Sequence, residues 1–145
     1  MAECVFCAIV AGSTPAFVVT DTSDGVAFLD TRPVFKGHVL VVPRPHVPTL
    51  GDLDPALVGP FFQLVRRLSV AVEAGLSVGG TFVAMNNRVS QSVPHLHAHV
   101  VPRTKGDGLR GFFWPRTRYS SSQESAEFAL KIKKKPSSRG TPPAG

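Results

Sequence analysis

Short runs of apolar residues, separated by polar and glycine- or proline-containing turns, predict a sheet and one long helix. Each run is rich in β-branched or aromatic residues, which favours strands. The five predicted strands cover residues 17–20, 26–30, 38–43, 81–85 and 95–101. The first two strands should form a hairpin, and the continuous apolar run at 39–42 predicts a central strand covered on both faces.

The long helix should begin at Asp54 as its cap and Pro55 as its first residue. Apolar residues recur at helical spacing from Leu57 to Val72, and Gly75 is a plausible end. Shorter helices are expected at 7–11 and 123–134. The pattern therefore predicts an α+β fold with a five-stranded antiparallel sheet, one long helix and a short N-terminal helix.

Three of the five histidines, His95, His97 and His99, occupy every second position of the last predicted strand. A strand alternates its faces, so the three imidazoles should project from one face as a metal cluster or a catalytic array. Side chains of alternate residues stand parallel and about 7 Å apart, so they rarely converge on one ion. A simpler interpretation is that one of these histidines binds a metal ion and the other two take part in catalysis.

The two cysteines, Cys4 and Cys7, have the spacing of half a zinc site. A redox pair and two ordinary small residues are the other readings of this spacing. With His46 and one strand histidine they would complete a closed Cys₂His₂ site. His38 and Asp30 lie at strand ends, where a structural role and a role in ligand binding both fit the spacing.

Length and charge limit the remaining possibilities. A chain of 145 residues with 43% hydrophobic residues is expected to form one globular domain. Residues 1–100 carry a net charge of −1 (six basic, seven acidic) and residues 101–145 carry +7 (ten basic, three acidic). We expect residues 1–130 to form the folded domain and residues 131–145 to be a basic tail, disordered from 135. A charge run alone is weak evidence, so we do not expect nucleic-acid binding.

Two further expectations concern location and partners. No apolar run has the length of a membrane span and no secretory signal is visible, so we expect a cytoplasmic protein without membrane association. The loop at 105–115 contains three glycines and the aromatic run 112–114. Such a loop indicates either a lid or a surface that docks on a second subunit.

The sequence resembles the histidine-triad (HIT) nucleotide hydrolases and transferases over roughly residues 4–118. Residues 95–101 match that family's pattern of three alternating histidines followed by apolar residues. The segments 28–30, 37–43 with His46, and 91–93 fall at the family's spacing. The loop before residue 91 is shorter than the common form, and Ser90 stands where glycine is usual.

The resemblance implies a role for each matching position. His97 resembles the nucleophile that attacks the α-phosphorus, and His99 and His38 resemble its polar neighbours. Asp30 resembles the acceptor of the ribose hydroxyls. The other positions implied around the substrate are Phe28, Asn86, Gln91 and Ser92. Cys4, Cys7, His46 and His95 resemble the structural zinc site of relatives with an N-terminal Cys-x-x-Cys.

The function implied by the resemblance is hydrolysis at the α-phosphorus of purine nucleoside 5'-phosphoramidates or related AMP conjugates. The reaction would pass through a covalent nucleotidyl-histidine and would need no metal for its chemistry. The alternatives are a dinucleoside polyphosphate hydrolase and a nucleotide-binding regulatory protein with little turnover. Relatives of this kind usually form homodimers, which we also expect here.

Overall fold

The computed structural model describes residues 4–109 and 116–134. The chain divides into two compact units, residues 1–105 and 106–145. The first unit contains helix α1 and strands β1 to β3, at Val5–Val10, Val18–Thr22, Gly25–Leu29 and Val39–Val42. It continues with a 3₁₀ turn, helix α2 and strands β4 and β5, at Leu50–Asp52, Pro55–Leu76, Gly80–Ala84 and Ala98–Arg103. The described helix of the second unit is α3, Ser122–Lys134.

The five strands form one antiparallel sheet in the order β1-β2-β3-β5-β4, which confirms the predicted α+β fold. β3 lies at the centre, and all four of its residues are buried, as its continuous apolar run predicts. Its neighbours hold it in register through the pairs Phe28 with Leu40 and Leu40 with His99. His99 on β5 therefore lies beside the most buried strand of the sheet.

The sheet has a buried apolar cluster on each face. One lies under α2 and combines helix residues such as Phe61, Leu64 and Leu68 with sheet residues such as Val41 and Val100. The other consists of Phe6, Val26, Phe28, Leu40 and Val42. Because strand residues alternate between faces, β3 contributes to both clusters, and α1 covers the face opposite to α2.

Helix α2 begins as the sequence predicts. The Asp54 carboxylate accepts a hydrogen bond of 2.9 Å from the Ala56 N–H, and Pro55 occupies the first turn. The helix ends one residue beyond the predicted Gly75, where Ser77 adopts a left-handed conformation with φ of 54°. This long helix packs against strands β2 to β5.

Strand β5 begins at Ala98, three residues later than predicted. The last pair between β3 and β5 joins Val41 with Ala98, and β3 ends before Pro43, which has no N–H to continue the ladder. The preceding segment is held by a loop instead, because the Leu96 N–H donates to the Val47 carbonyl over 2.7 Å. His95 and His97 thus lie just outside the ladder, and His99 lies within it.

Helix α1 also differs from the prediction, since it spans Val5–Val10 rather than 7–11. Its cap is Cys4, whose sulfur accepts a 3.4 Å hydrogen bond from the Cys7 N–H. Cysteine is not among the preferred capping residues, so the sequence carried no usual signal for this start.

Some expectations fall on the rest of the chain. The aromatic run 112–114 and the tail residues 135–145 lie outside the described residues. The boundary at residue 130 stays a prediction. Within residues 4–109 and 116–134, no helix combines the length and the apolar character that a membrane span needs.

Candidate functional site

A cavity of about 650 Å³ opens on the face of the sheet that α1 covers. Its apolar wall includes Val5, Phe6 and Ile9 from α1, together with Phe28 from β2. The polar side chains that line it are those of Thr14, Asp30, Thr31, Ser92, His97 and His99. The cavity therefore offers apolar surface suited to a flat ring and polar side chains suited to a charged or hydroxylated group.

His97 is buried, with 3% of its surface exposed, and its orientation is fixed by a backbone group. Its Nδ1 lies 2.7 Å from the carbonyl oxygen of His95. A carbonyl can only accept, so Nδ1 carries the proton and donates it. In the neutral imidazole, Nε2 then carries the lone pair, which is the form that a nucleophile requires.

His38 and His99 form a hydrogen-bonded pair beside His97. The Val34 N–H donates to Nδ1 of His38 over 3.1 Å, so the proton of a neutral His38 is on Nε2. That Nε2 donates to Nδ1 of His99 over 3.0 Å. A neutral His99 therefore carries its proton on Nε2. The ring of His99 lies 5.0 Å from that of His97, centroid to centroid.

The surroundings keep this pair neutral. Burial, together with the neighbouring His97 and His38, lowers the pKa of His99 to about 4 against the opposing effect of Asp30. Burial also lowers the pKa of His38 against the opposing effect of Asp30. At neutral pH both rings are therefore uncharged, and His99 can act as a hydrogen-bond donor without repelling a protonated neighbour.

Acidification should destabilise the folded protein between pH 6.5 and about 4 because of His99. An unfolded imidazole binds a proton below pH 6.5, whereas the folded one binds it only near 4, so the unfolded state takes up more protons as the pH falls. Urea unfolding across this range should give a shallower pH dependence for His99→Asn, whose amide oxygen can still accept from His38. Equal slopes for the two proteins would contradict the shifted pKa.

Asp30 lies at the end of β2 with one carboxylate oxygen engaged. Its Oδ1 accepts from the Arg32 N–H over 2.8 Å, and its Oδ2 lies 3.7 Å from Nδ1 of His38. With His38 and His99 it forms a group compatible with a metal ion. Both ring nitrogens of His38 are already engaged, however, since Nδ1 accepts from the Val34 N–H and Nε2 donates to His99. We attribute this group to hydrogen bonding, which leaves Oδ2 available to a ligand hydroxyl.

The two cysteines meet two histidines, as the sequence predicts for a Cys₂His₂ cluster. The four ligand atoms of Cys4, Cys7, His46 and His95 lie within 4.8 Å of one another. Nδ1 of His95 lies 3.5 Å from each sulfur, and Nδ1 of His46 lies 3.2 Å from the sulfur of Cys7. In a tetrahedral zinc site with the usual bond lengths, sulfur and nitrogen ligands are roughly 3.5 Å apart. The spacing fits zinc.

The chemistry of the four ligands fits a cation as well. Nε2 of His95 lies 2.9 Å from the Pro43 carbonyl oxygen, so it carries the proton and leaves the Nδ1 lone pair free for a metal. Burial, together with the neighbouring Cys4, raises the pKa of the Cys7 thiol. Two adjacent thiolates repel each other, and a bound cation removes that repulsion. A bound ion would connect α1, the segment after β3 and the segment before β5 through these four residues.

Phe6 is a site residue that the sequence analysis did not identify. Its ring packs edge-on against His97 at 5.0 Å, Phe28 at 5.4 Å and His95 at 6.0 Å, measured between centroids. Its position between the two cysteines is the signal that could have revealed it, since a residue flanked by metal ligands is held in place by them. Phe6 belongs to both regions, because it lines the cavity and contacts a residue of the cysteine cluster.

The remaining predicted residues divide into two groups. Phe28 and Ser92 line the cavity. The side chains of Asn86 and Gln91 bond within the loops, to the Ser90 and Pro48 carbonyls respectively. Neither is among the described residues that line the cavity. Their contact with a substrate stays a prediction.

Comparison with known proteins gives a consistent family relationship. The family model described as the HIT domain matches residues 11–106. The chain is 31% identical over 135 residues to the adenosine 5'-monophosphoramidase of Schizosaccharomyces pombe, covering 90% of this chain and 99% of that protein. It is 36% identical over 88 residues to the asymmetrical bis(5'-nucleosyl)-tetraphosphatase of the same organism, covering 59% of this chain and 48% of that protein.

Solved structures agree in fold. A HIT-family protein from Bacillus subtilis superposes with a TM-score of 0.84 at 30% identity, covering 94% of this chain and 99% of that one. A zinc-bound histidine triad family protein from Mycobacterium smegmatis superposes with a TM-score of 0.70 at 35% identity, covering 91% and 97%. One solved structure with the same fold is thus zinc-bound.

Proposed function

The chain belongs to the HIT domain family, and on that premise we propose that it is a nucleotide hydrolase acting at the α-phosphorus of purine nucleoside 5'-phosphoramidates or related AMP conjugates. The observation that carries the proposal is the hydrogen bond from Nδ1 of His97 to the His95 carbonyl, at 2.7 Å. It fixes the tautomer whose Nε2 can attack phosphorus in a cavity that has room for a nucleotide.

In the first step, Nε2 of His97 forms a bond to the α-phosphorus while the bond from phosphorus to the leaving nitrogen or oxygen breaks. The electron pair of the broken bond goes to the leaving group, which takes up a proton. In the second step water attacks the same phosphorus and loses a proton, which balances the one taken up by the leaving group, and the bond between nitrogen and phosphorus breaks to release AMP and neutral His97. Covalent catalysis divides one difficult displacement into two easier ones.

The other polar residues are proposed to stabilise the charge on the phosphoryl group and to position the substrate. The Nε2–H of His99 can donate to a phosphoryl oxygen as negative charge develops, and His38 holds His99 in that tautomer. Oδ2 of Asp30 can accept from the ribose hydroxyls. Phe28 and the apolar wall residues of α1 provide surfaces for the base. Ser92, Asn86 and Gln91 are proposed to act near the phosphate and the leaving group.

The cavity favours a substrate with one phosphoryl group over a dinucleoside polyphosphate. Among the described residues that line it, none is a lysine or an arginine. A chain of several phosphates carries several negative charges, which proteins commonly bind with basic side chains. The match to the S. pombe monophosphoramidase over nearly its whole length points in the same direction.

The proposed zinc ion has a structural role in this scheme. It would be held by Cys4, Cys7, His46 and His95, and it would supply a tie between the N-terminus and the sheet. The homodimer, the cytoplasmic location and the basic tail at 131–145 stay predictions.

The proposal is tested by following AMP release from two substrates, adenosine 5'-phosphoramidate and diadenosine tetraphosphate. We expect kcat/KM for the phosphoramidate to exceed that for the tetraphosphate by about 10-fold or more, since the latter lacks basic partners in the cavity. The Asp30→Asn variant should raise KM for both, because an amide is a weaker acceptor of ribose hydroxyls than a carboxylate.

Two other results would contradict the proposed activity. Faster hydrolysis of diadenosine tetraphosphate would replace the proposed activity with the alternative one. Tight binding of AMP with no release from either substrate would indicate a nucleotide-binding regulatory protein.

A further inference from the structure

Helix α1 joins two regions whose functions have so far been treated separately. Three of its six residues, Val5, Phe6 and Ile9, line the cavity. Cys4 caps the helix and Cys7 lies within it, and both sulfurs belong to the Cys₂His₂ cluster. A helix of this length has little stability of its own, so its position depends on its tertiary contacts.

Two direct contacts connect the cluster to His97. The first is Phe6, whose ring lies 5.0 Å from that of His97 and 6.0 Å from that of the cluster residue His95. The second is His95 itself, since its Nδ1 faces the sulfurs while its carbonyl accepts from His97. A change that frees the helix or turns His95 must therefore alter either the cavity wall or the support of His97.

We propose that the Cys4–Cys7–His46–His95 cluster controls the affinity of the cavity for nucleotides, with Phe6 as the positioning residue between the two. A metal ion at the cluster would fix α1, and α1 would then hold the Phe6 ring against His97 at the cavity wall. The inference rests on the proposed function, because a nucleotide serves as the ligand.

Thermodynamic linkage makes the proposal specific. If metal binding raises the affinity for AMP by some factor, AMP must raise the affinity for the metal by the same factor. A cluster that only holds the fold together, without changing the cavity of the folded protein, gives a factor of one. Coupling between two sites in a protein commonly lies between about 5-fold and 150-fold.

The experiment measures the Kd of AMP by calorimetry for the zinc-loaded and the chelated full-length chain, and the Kd of zinc by chelator competition with and without AMP. We expect both constants to change by about 10-fold and by equal factors. Circular dichroism in both states checks that the chelated chain is folded. AMP is a product of the proposed reaction, so no turnover disturbs the measurement.

Two variants separate Phe6 from the rest of the wall. Phe6→Leu keeps an apolar side chain in the buried cluster but removes the ring from His97, and it should reduce the factor to below about threefold while zinc still binds. Val5→Ala is the matched control, because Val5 lines the same cavity from the same helix. It should weaken AMP binding equally in both metal states and leave the factor unchanged.

His46→Gln keeps the test possible if chelation unfolds the chain, since His46 is an exposed ligand outside the described cavity lining. Its weaker zinc binding allows AMP affinity to be followed across a zinc titration, and the two should rise together. An AMP Kd that is the same at every zinc occupancy overturns the coupling and leaves the proposed hydrolase intact. Absence of AMP binding in every state overturns both.

Discussion

Replacing His97 with alanine should reduce kcat by about 10⁴-fold or more and leave the Kd of AMP within about threefold of its original value. The loss follows because Nε2 of His97 is the atom proposed to bond to phosphorus, and its lone pair is directed by the bond from Nδ1 to the His95 carbonyl. Removing a covalent nucleophile leaves only the catalysis that binding and charge stabilisation provide. Intact-mass spectrometry after a quench without acid should show a nucleotidyl adduct on the original protein and none on His97→Ala.

A second substitution at the same position serves as the control for structure. His97→Asn removes the nucleophile but keeps an N–H that can donate to the His95 carbonyl, so it should be as inactive as the alanine variant and more stable. An adduct that persists in His97→Ala and disappears in His99→Ala would show that the nucleophile is His99 and not His97.

The elements of the fold could be predicted to within a few residues because their signals are local. The apolar run of β3 and the Asp54–Pro55 start of α2 each follow from a short stretch of sequence. The start of β5 could not be predicted in this way. It depends on where the neighbouring strand ends, at Val42 before Pro43, and that limit lies some fifty residues earlier in the chain.

In the site, too, some residues have local sequence signals and others depend on contacts made only in the folded chain. Alternating histidines and paired cysteines indicate their chemistry by residue type, so a Cys₂His₂ cluster with one strand histidine could be predicted from spacing. The choice of His95 for that cluster, and the roles proposed around His97, come from the family resemblance. Phe6 is harder to identify, because its one sequence signal is its position between the two cysteines, and an aromatic residue in a short helix is usually core. Its importance comes from contacts with His97 and His95, which only the folded chain brings within 5.0 and 6.0 Å.

The tautomers are the part of the site furthest from the sequence. The roles of His38 and His99 depend on which nitrogen carries the proton, and this is set by a backbone N–H at Val34. No residue type encodes that choice, since any residue except proline supplies an N–H. The backbone conformation thus determines which nitrogen of each imidazole carries the proton.

Loss of the metal cluster should have the largest effect on stability. The Cys4→Ser variant should contain no stoichiometric zinc, and its melting temperature should fall by about 10–20 °C relative to the zinc-loaded protein. A ligand present at about a thousand times its Kd stabilises the folded state by about 4 kcal/mol, which corresponds to a shift of this size in a domain of about this length. Elemental analysis and thermal unfolding in excess zinc give the two measurements.

Serine at position 4 is chosen because its hydroxyl can still cap α1, as the Cys4 sulfur does. The substitution therefore removes a metal ligand without removing the cap, and Cys4 is only partly buried, so little packing is lost with it. After chelation, the original protein and Cys4→Ser should melt at nearly the same temperature, because the metal is then absent from both. A difference in melting temperature that survives chelation undiminished would assign the stabilisation to the packing of the sulfur. If the original protein contains no zinc and is equally stable with and without it, the proposed metal site is wrong.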